Sequence, residues 1–452
     1  MENIFYYIYM QVEQVYNFSS ELEFLYFAKE KYRVNKDESF IMTDLSSLER
    51  QYHRFISFLP RVTPHYAIKC NPDFMVSKTL YSLGCGFDCA SKGELEEAIN
   101  EIHADPSRII FANPCKIPSH IAYMKEVGVK RTTFDCVDEL EKIKSIYPEC
   151  EVVLRIATND QKSRCPLSVV YGAKPEHWEF LIQECKRLNL NLVGVSFHIG
   201  SGSSDPYNFY DAIKNAAHVF SVAETYGYKP TLLDIGGGFP GISEDPQVLP
   251  FEEFAGEVNT ALDEYFGHRK DLKIIAEPGR YFANGIMYAF LKVINRKVFE
   301  PKNYSNAMDN HDELSALQKK YNLSEDSLAK KEVYDYYLND SSIILFSLLL
   351  LESNTVEFIH LVNDHRTEER HPSNIYGYSS VKEDLIEGNV LLPKLEIGEE
   401  VYFKNLGSYS TSVAKGIVFN GYEFKGKRYY FKLNSAFKDL DTIDTSSTPV
   451  QA

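Results

Sequence analysis

Two features of the chain could do chemistry directly: a run of glycines able to grip an anion, and a lysine delivered by an apolar stretch. Residues 231–241 read TLLDIGGGFPG, an apolar run that ends in Asp234 and breaks into Gly236, Gly237 and Gly238. Three glycines leave bare backbone N–H groups that can close around an anion, most often a phosphate. A tight turn would need only one or two glycines. Lys69 closes the run PHYAIK (64–69). An amine aimed from such a strand into a cavity, desolvated and near the cation of Arg155, is expected to have a lowered pKa and to act as a nucleophile.

The elements that must position these groups alternate. Short β-rich runs occur at 64–69, 85–89, 108–112, 131–135, 151–156, 192–197, 231–235 and 273–277, with mixtures of helical spacing between them, as at 91–103, 137–147, 175–189 and 208–226. Eight strands each followed by a helix predict a (β/α)8 barrel, whose chemistry lies where the strands end. A doubly wound open sheet is the competing arrangement. The residues at those ends are Lys69, Asp88, Asn113, Asp135, Arg155, His198, the glycine nest, and Glu277 with Pro278, Gly279 and Arg280. Asn113 and Asp135 read better as caps of the helices that follow them than as site residues.

The rest of the chain frames that barrel. Residues 1–37 form an N-terminal segment, and 38–283 form the barrel domain, whose first strand-like piece at 38–45 is expected to join a second domain. Residues 284–433 are β-rich and predict a C-terminal all-β, sandwich-like domain, with a polar insertion at 303–331 and a disordered tail at 434–452. The most apolar run, IILFSLLLL at 343–351, is nine residues long, against about 20 for a membrane span, and is expected to be a buried strand. With 64 acidic and 48 basic residues the net charge is −16, which disfavours nucleic acid and membrane surfaces as partners. All eight cysteines lie in the first 185 residues, scattered as suits reduced thiols, and no metal site is expected. No stretch makes a convincing targeting signal, so the expected location is cytoplasmic.

PHYAIKCNP, GFDCAS, RIIFANPCK, SFHIGSG, LDIGGGFPG, AEPGRYF, YYLND, NLGSYS and FNGY together resemble the eukaryotic ornithine decarboxylases, over about residues 38–424. These are pyridoxal-phosphate proteins that join an alanine-racemase-like barrel to a β domain. The resemblance implies that Lys69 holds pyridoxal 5′-phosphate as a Schiff base, that His198 stacks on its ring, and that Glu277 pairs with the ring nitrogen. Ser201, Gly236, Gly237, Gly238, Gly279, Arg280 and Tyr409 would hold the phosphate, with Asp88, Arg155 and Pro278 near the ring. Asn339 and Asp340 would meet the substrate, an amino acid whose distal ammonium Asp340 receives.

The same resemblance exposes departures. The family's Cys-Asp pair, on a loop that enters the partner subunit's site, aligns with Ser380 and Val381 in IYGYSSV. Ser380 would stand as the proton donor, although a hydroxyl is a far weaker acid than a thiol, and Val381 cannot pair with an ammonium. Val170 replaces a lysine expected to bridge to Asp384 across the family's homodimer. Three functions follow: an impaired decarboxylase forming putrescine from L-ornithine for polyamine biosynthesis, a regulator of the antizyme-inhibitor type that pairs with antizyme or an active paralogue, or a decarboxylase of another amino acid.

Overall fold

A computed structural model describes residues 14–243, 247–299, 331–351, 359–361, 369–379, 384–413, 424 and 426–433. Eight parallel strands close into a barrel, in chain order Val62–Ala67, Gly86–Cys89, Ile109–Phe111, Arg131–Phe134, Glu151–Ile156, Asn191–Phe197, Leu232–Asp234 and Lys273–Ala276, the last pairing with the first. The doubly wound alternative is thereby excluded. Side chains from four of the strands, Ile110, Val153, Leu232 and Ile275, form a separate small cluster with Ala112. The larger core lies between strands and outer helices. Helix starts are fixed locally. Asp73 accepts from the backbone N–H of Met75 and Val76, and Ser91 and Glu94 form a reciprocal cap in which Glu94 takes the Ala90 N–H.

Phe40–Asp44 leaves the barrel and lies between Met287–Phe299 and Lys427–Leu433 in a nine-stranded mixed sheet. Met287–Phe299 organises that sheet. Its first residues pair with Phe40–Asp44, its last with Val333–Leu338, and its other edge with Glu400–Phe403. The sequence reading left residues 1–37 without elements. Their described part forms the strand Val15–Phe18, parallel to Lys427–Leu433, and the helix Glu21–Asn35. Phe24, Tyr32, Phe40, Phe290 and Phe431 pack that helix onto the sheet as an aromatic layer.

One expectation is overturned. The run at 343–351 is not a strand: the backbone N–H groups of Leu345 and Phe346 bond to Ser341 and Ser342, and Leu348–Leu351 makes one helical turn. Asp340 takes the Ser341 N–H and Asp384 the Ser342 N–H, so two carboxylates cap a turn exactly where a strand would need extended backbone. The 303–330 part of the insertion and the tail at 434–452 lie outside the described residues.

The two domains meet at Gly407. Its N–H bonds to Asn284, its carbonyl accepts from the Asn71 amide, and a Cβ there would fall 1.6 Å from the Ala283 carbonyl oxygen. Gly407→Ala must push the domains apart, at a cost of about 1–3 kcal/mol. A lower thermal midpoint is expected. The same shift moves Tyr409, whose N–H bonds to the Cys70 carbonyl.

Candidate active site

The strand ends of the barrel converge as the sequence implies. Lys69 sits in a short turn, Ile68–Cys70, that follows its strand, and its Nζ lies 2.5 Å from Oδ2 of the fully buried Asp88. Lys69, Arg155, His198, Ser201, Glu277, Arg280 and Tyr409 all line one cavity of about 360 Å³. A smaller hollow beside it is lined by Lys69, His198, Ser201, Gly238, Gly279, Arg280 and Tyr409. Arg280 donates from Nε to Ser201 Oγ at 2.8 Å, and its guanidinium lies 4.8 Å from the Tyr409 ring centre. Pro278 contributes through its carbonyl, which accepts from Ala67 N–H.

The glycine nest is built by exclusion of side chains. A Cβ on Gly236 would fall 2.0 Å from the Phe197 carbonyl oxygen, and one on Gly237 would fall 2.8 Å from His198 Nε2. Gly238 adopts φ +109°, which side chains rarely tolerate. Asp234 Oδ1 accepts the Gly236 N–H at 2.9 Å and fixes the first turn of the nest, while the Gly236 carbonyl accepts the Glu277 N–H at 2.7 Å.

Electrostatics divide the site. Burial opposes the charged form of Lys69, but the carboxylates of Asp88 and Glu277 outweigh it and hold the ammonium above the ordinary lysine range. This reverses the sequence expectation of a lowered pKa, because Asp88, at contact distance, counts for more than Arg155. Burial, Arg155 and Lys69 push His198 well below the ordinary imidazole range, which leaves a neutral ring whose Nδ1 accepts from Gly200 N–H. Burial, Asp234 and Asp88 hold Glu277 well above the usual carboxylate range.

A cationic amine, a neutral imidazole, a buried carboxyl and an anion nest around one cavity match the comparisons with known proteins. Residues 45–284 match the pyridoxal binding domain of the pyridoxal-dependent decarboxylases. The chain is 36% identical over 413 residues to rat ornithine decarboxylase, covering 91% of this chain and 84% of the relative. The chain belongs to the ornithine decarboxylase family. It is also 39% identical over 406 residues to antizyme inhibitor 2 of Xenopus laevis, covering 90% and 84%. Among solved structures, the arginine decarboxylase of Paramecium bursaria Chlorella virus superposes with a TM-score of 0.78 at 31% identity, covering 90% of this chain and all of that one.

The family's cofactor, pyridoxal phosphate, suits what the site offers. Asp88 Oδ1 is buried without a hydrogen-bond partner, and the smaller hollow brings Lys69, His198, Ser201, Gly238, Gly279 and Arg280 to one place. Lys69 offers the amine, Glu277 a carboxyl for the ring nitrogen, and the nest, Ser201 and Arg280 the donors for a phosphate. Capture of the aldehyde needs the neutral amine, a fraction of roughly 10⁻³ to 10⁻⁴ at pH 7 for an ordinary lysine. Since Lys69 lies above that range, loading should accelerate about tenfold per pH unit through neutral and alkaline pH, and Asp88→Asn should accelerate it at pH 7. The growth rate of the visible absorbance band measures both. A pH-independent rate would show that the ion pair does not gate loading.

Other sequence-derived residues stand elsewhere. Asn339 and Asp340 are not among the residues lining the cavity. Asn339 bonds to Lys292 N–H and the Asp37 carbonyl, and Asp340 accepts from Ser39 Oγ and Ser341 N–H. Asp384, whose expected lysine partner is replaced by Val170, finds donors within its own chain. It is buried, and its carboxylate accepts from the N–H groups of Ser342 and Ser379. Ser380 and Val381 lie outside the described residues. Asp135 caps no helix; it accepts from Gly172 N–H. Asn113 folds its own loop by accepting Cys115 N–H, yet it also lines the cavity. Leu167 and Tyr171, in the PLSVVYG stretch, line the cavity as well, and no local signal marks them in the sequence.

Proposed function

We propose that this chain is a pyridoxal-phosphate-dependent decarboxylase of basic amino acids that forms putrescine from L-ornithine, weakened by Ser380 and Val381. The observation that carries this reading is the convergence of Lys69, which pairs with Asp88, with His198, Glu277, Arg280 and, through Gly238, the glycine nest on one cavity and the hollow beside it. The cofactor supplies an electron sink for the pair left behind when carbon dioxide departs. Lys69 would hold it and give way to the substrate's amine. The neutral imidazole of His198 would offer its flat face to the ring without a competing charge, Glu277 would meet the ring nitrogen, and Arg280, Ser201, Tyr409 and the nest would hold the phosphate. On the family resemblance, Ser380 would stand in for the family's proton donor. Asn339 and Asp340 are not among the cavity's lining residues, and the reading includes a homodimer in which Ser380 and Val381 of one copy complete the site of the other.

The test supplies pyridoxal phosphate and ornithine to the purified protein and measures carbon dioxide and putrescine, with borohydride reduction to fix the cofactor on the Lys69 peptide. Absence of label removes the enzyme reading. Sedimentation that finds only monomer at high concentration removes the shared site.

A second reading rests on the antizyme inhibitor relative and on Ser380 and Val381: a regulator that binds antizyme or an active paralogue. Co-sedimentation with antizyme by a protein that releases no amine would support it.

A further inference from the structure

We propose that Asp234 is a positioning residue of the cofactor site, a second carboxylate that works through Glu277 to keep the cofactor's ring nitrogen protonated. This rests on the reading that Glu277 faces that nitrogen. Asp234 and Glu277 come from neighbouring strands of the barrel, joined by the Ile235 N–H to Ile275 and the Glu277 N–H to Gly236 bonds. Asp234 is fully buried and Glu277 nearly so. One oxygen of Asp234, Oδ1, takes the Gly236 N–H, and the carboxyl also shares a hydrogen bond with the carboxyl of Glu277. A cap for Gly236 needs only the first oxygen, so an amide would serve that purpose without burying a charge.

The charged groups that act on the pair are Asp88 and Lys69 from the first two strands and Arg155 from the fifth. Lys69 and Asp88 already pair with each other. Two buried carboxyls side by side repel each other when both ionise, so they share a proton: burial raises both, and the hydrogen bond between them lowers Asp234 and raises Glu277, which leaves the proton on Glu277. A cation placed against Glu277 relieves that repulsion. A ring nitrogen is therefore stabilised in its protonated form by two carboxylates, where Glu277 alone would supply one.

The experiment compares Asp234→Asn, Asp234→Ala and Glu277→Gln, each loaded with pyridoxal phosphate, by titrating the absorbance of the bound cofactor against pH. Asn keeps the acceptor for Gly236 N–H and removes only the charge. Loss of a negative charge disfavours a nearby cation, so the pH at which the ring loses its proton should fall by about one unit or more in Asp234→Asn. Cofactor affinity should stay within about threefold, and kcat should fall more than KM rises. Asp234→Ala should lose affinity as well, because the nest loses its cap. An unmoved midpoint in Asp234→Asn, with a moved one in Glu277→Gln, overturns the proposal and leaves Asp234 a structural cap. An unmoved midpoint in Glu277→Gln overturns the reading beneath it.

Discussion

Lys69→Ala is expected to abolish covalent attachment of pyridoxal phosphate and, with it, every trace of a borohydride-fixed label. The nest, Ser201 and Arg280 remain, so the phosphate should still bind reversibly. Turnover of any amino acid should fall by at least the loss of a well-placed acid–base group, about 10² to 10⁴-fold, because the same amine that attaches the cofactor is the nearest proton carrier in the cavity. The substitution also strands Asp88. That carboxylate is fully buried, its Oδ2 is satisfied by Lys69 alone, and its Oδ1 has no partner. Removing one member of a buried pair destabilises more than the pair contributed. The thermal midpoint should drop, and Lys69→Ala/Asp88→Asn should recover part of the loss. A label that survives in Lys69→Ala would place attachment on another amine.

Ser380→Cys together with Val381→Asp is expected to raise putrescine formation from ornithine by about 10² to 10⁴-fold, the usual worth of general acid catalysis. The thiol, with an ordinary pKa of ~8.5, gives up a proton to a carbon centre far more readily than the serine hydroxyl. The aspartate restores a charge for the substrate's distal ammonium, which matters because Asp340 and Asp384 are already engaged by Ser39, Ser341, Ser342 and Ser379. Each substitution alone should give a smaller gain, Cys mainly in kcat and Asp mainly in KM. If the unaltered protein already makes putrescine at a rate that the pair does not improve, another group delivers the proton. If neither form makes amine while both bind the cofactor, the regulatory reading is favoured.

The sequence by itself determined the barrel. Most of its eight strands are short apolar runs, and some helix starts carry a local signal, such as Asp73 or the Ser91–Glu94 pair, so the alternation is readable without any long-range contact. The groups at the strand ends were legible because a barrel of this kind gathers the residues at and just after each strand's end on one face. What the sequence could not contain is how those groups act on one another. Lys69 next to Arg155 in prospect is a lysine with a lowered pKa; Lys69 at 2.5 Å from Asp88 is the reverse. Asp234 was visible only as the end of a strand, and its standing beside Glu277 depends on the register between two strands about 40 residues apart. The run at 343–351 has the composition of a strand, and only the capping of Ser341 and Ser342 by Asp340 and Asp384 turns it. Charge interactions and capping between distant residues depend on distances of a few ångströms in three dimensions, and those distances are set by the fold, not by spacing along the chain.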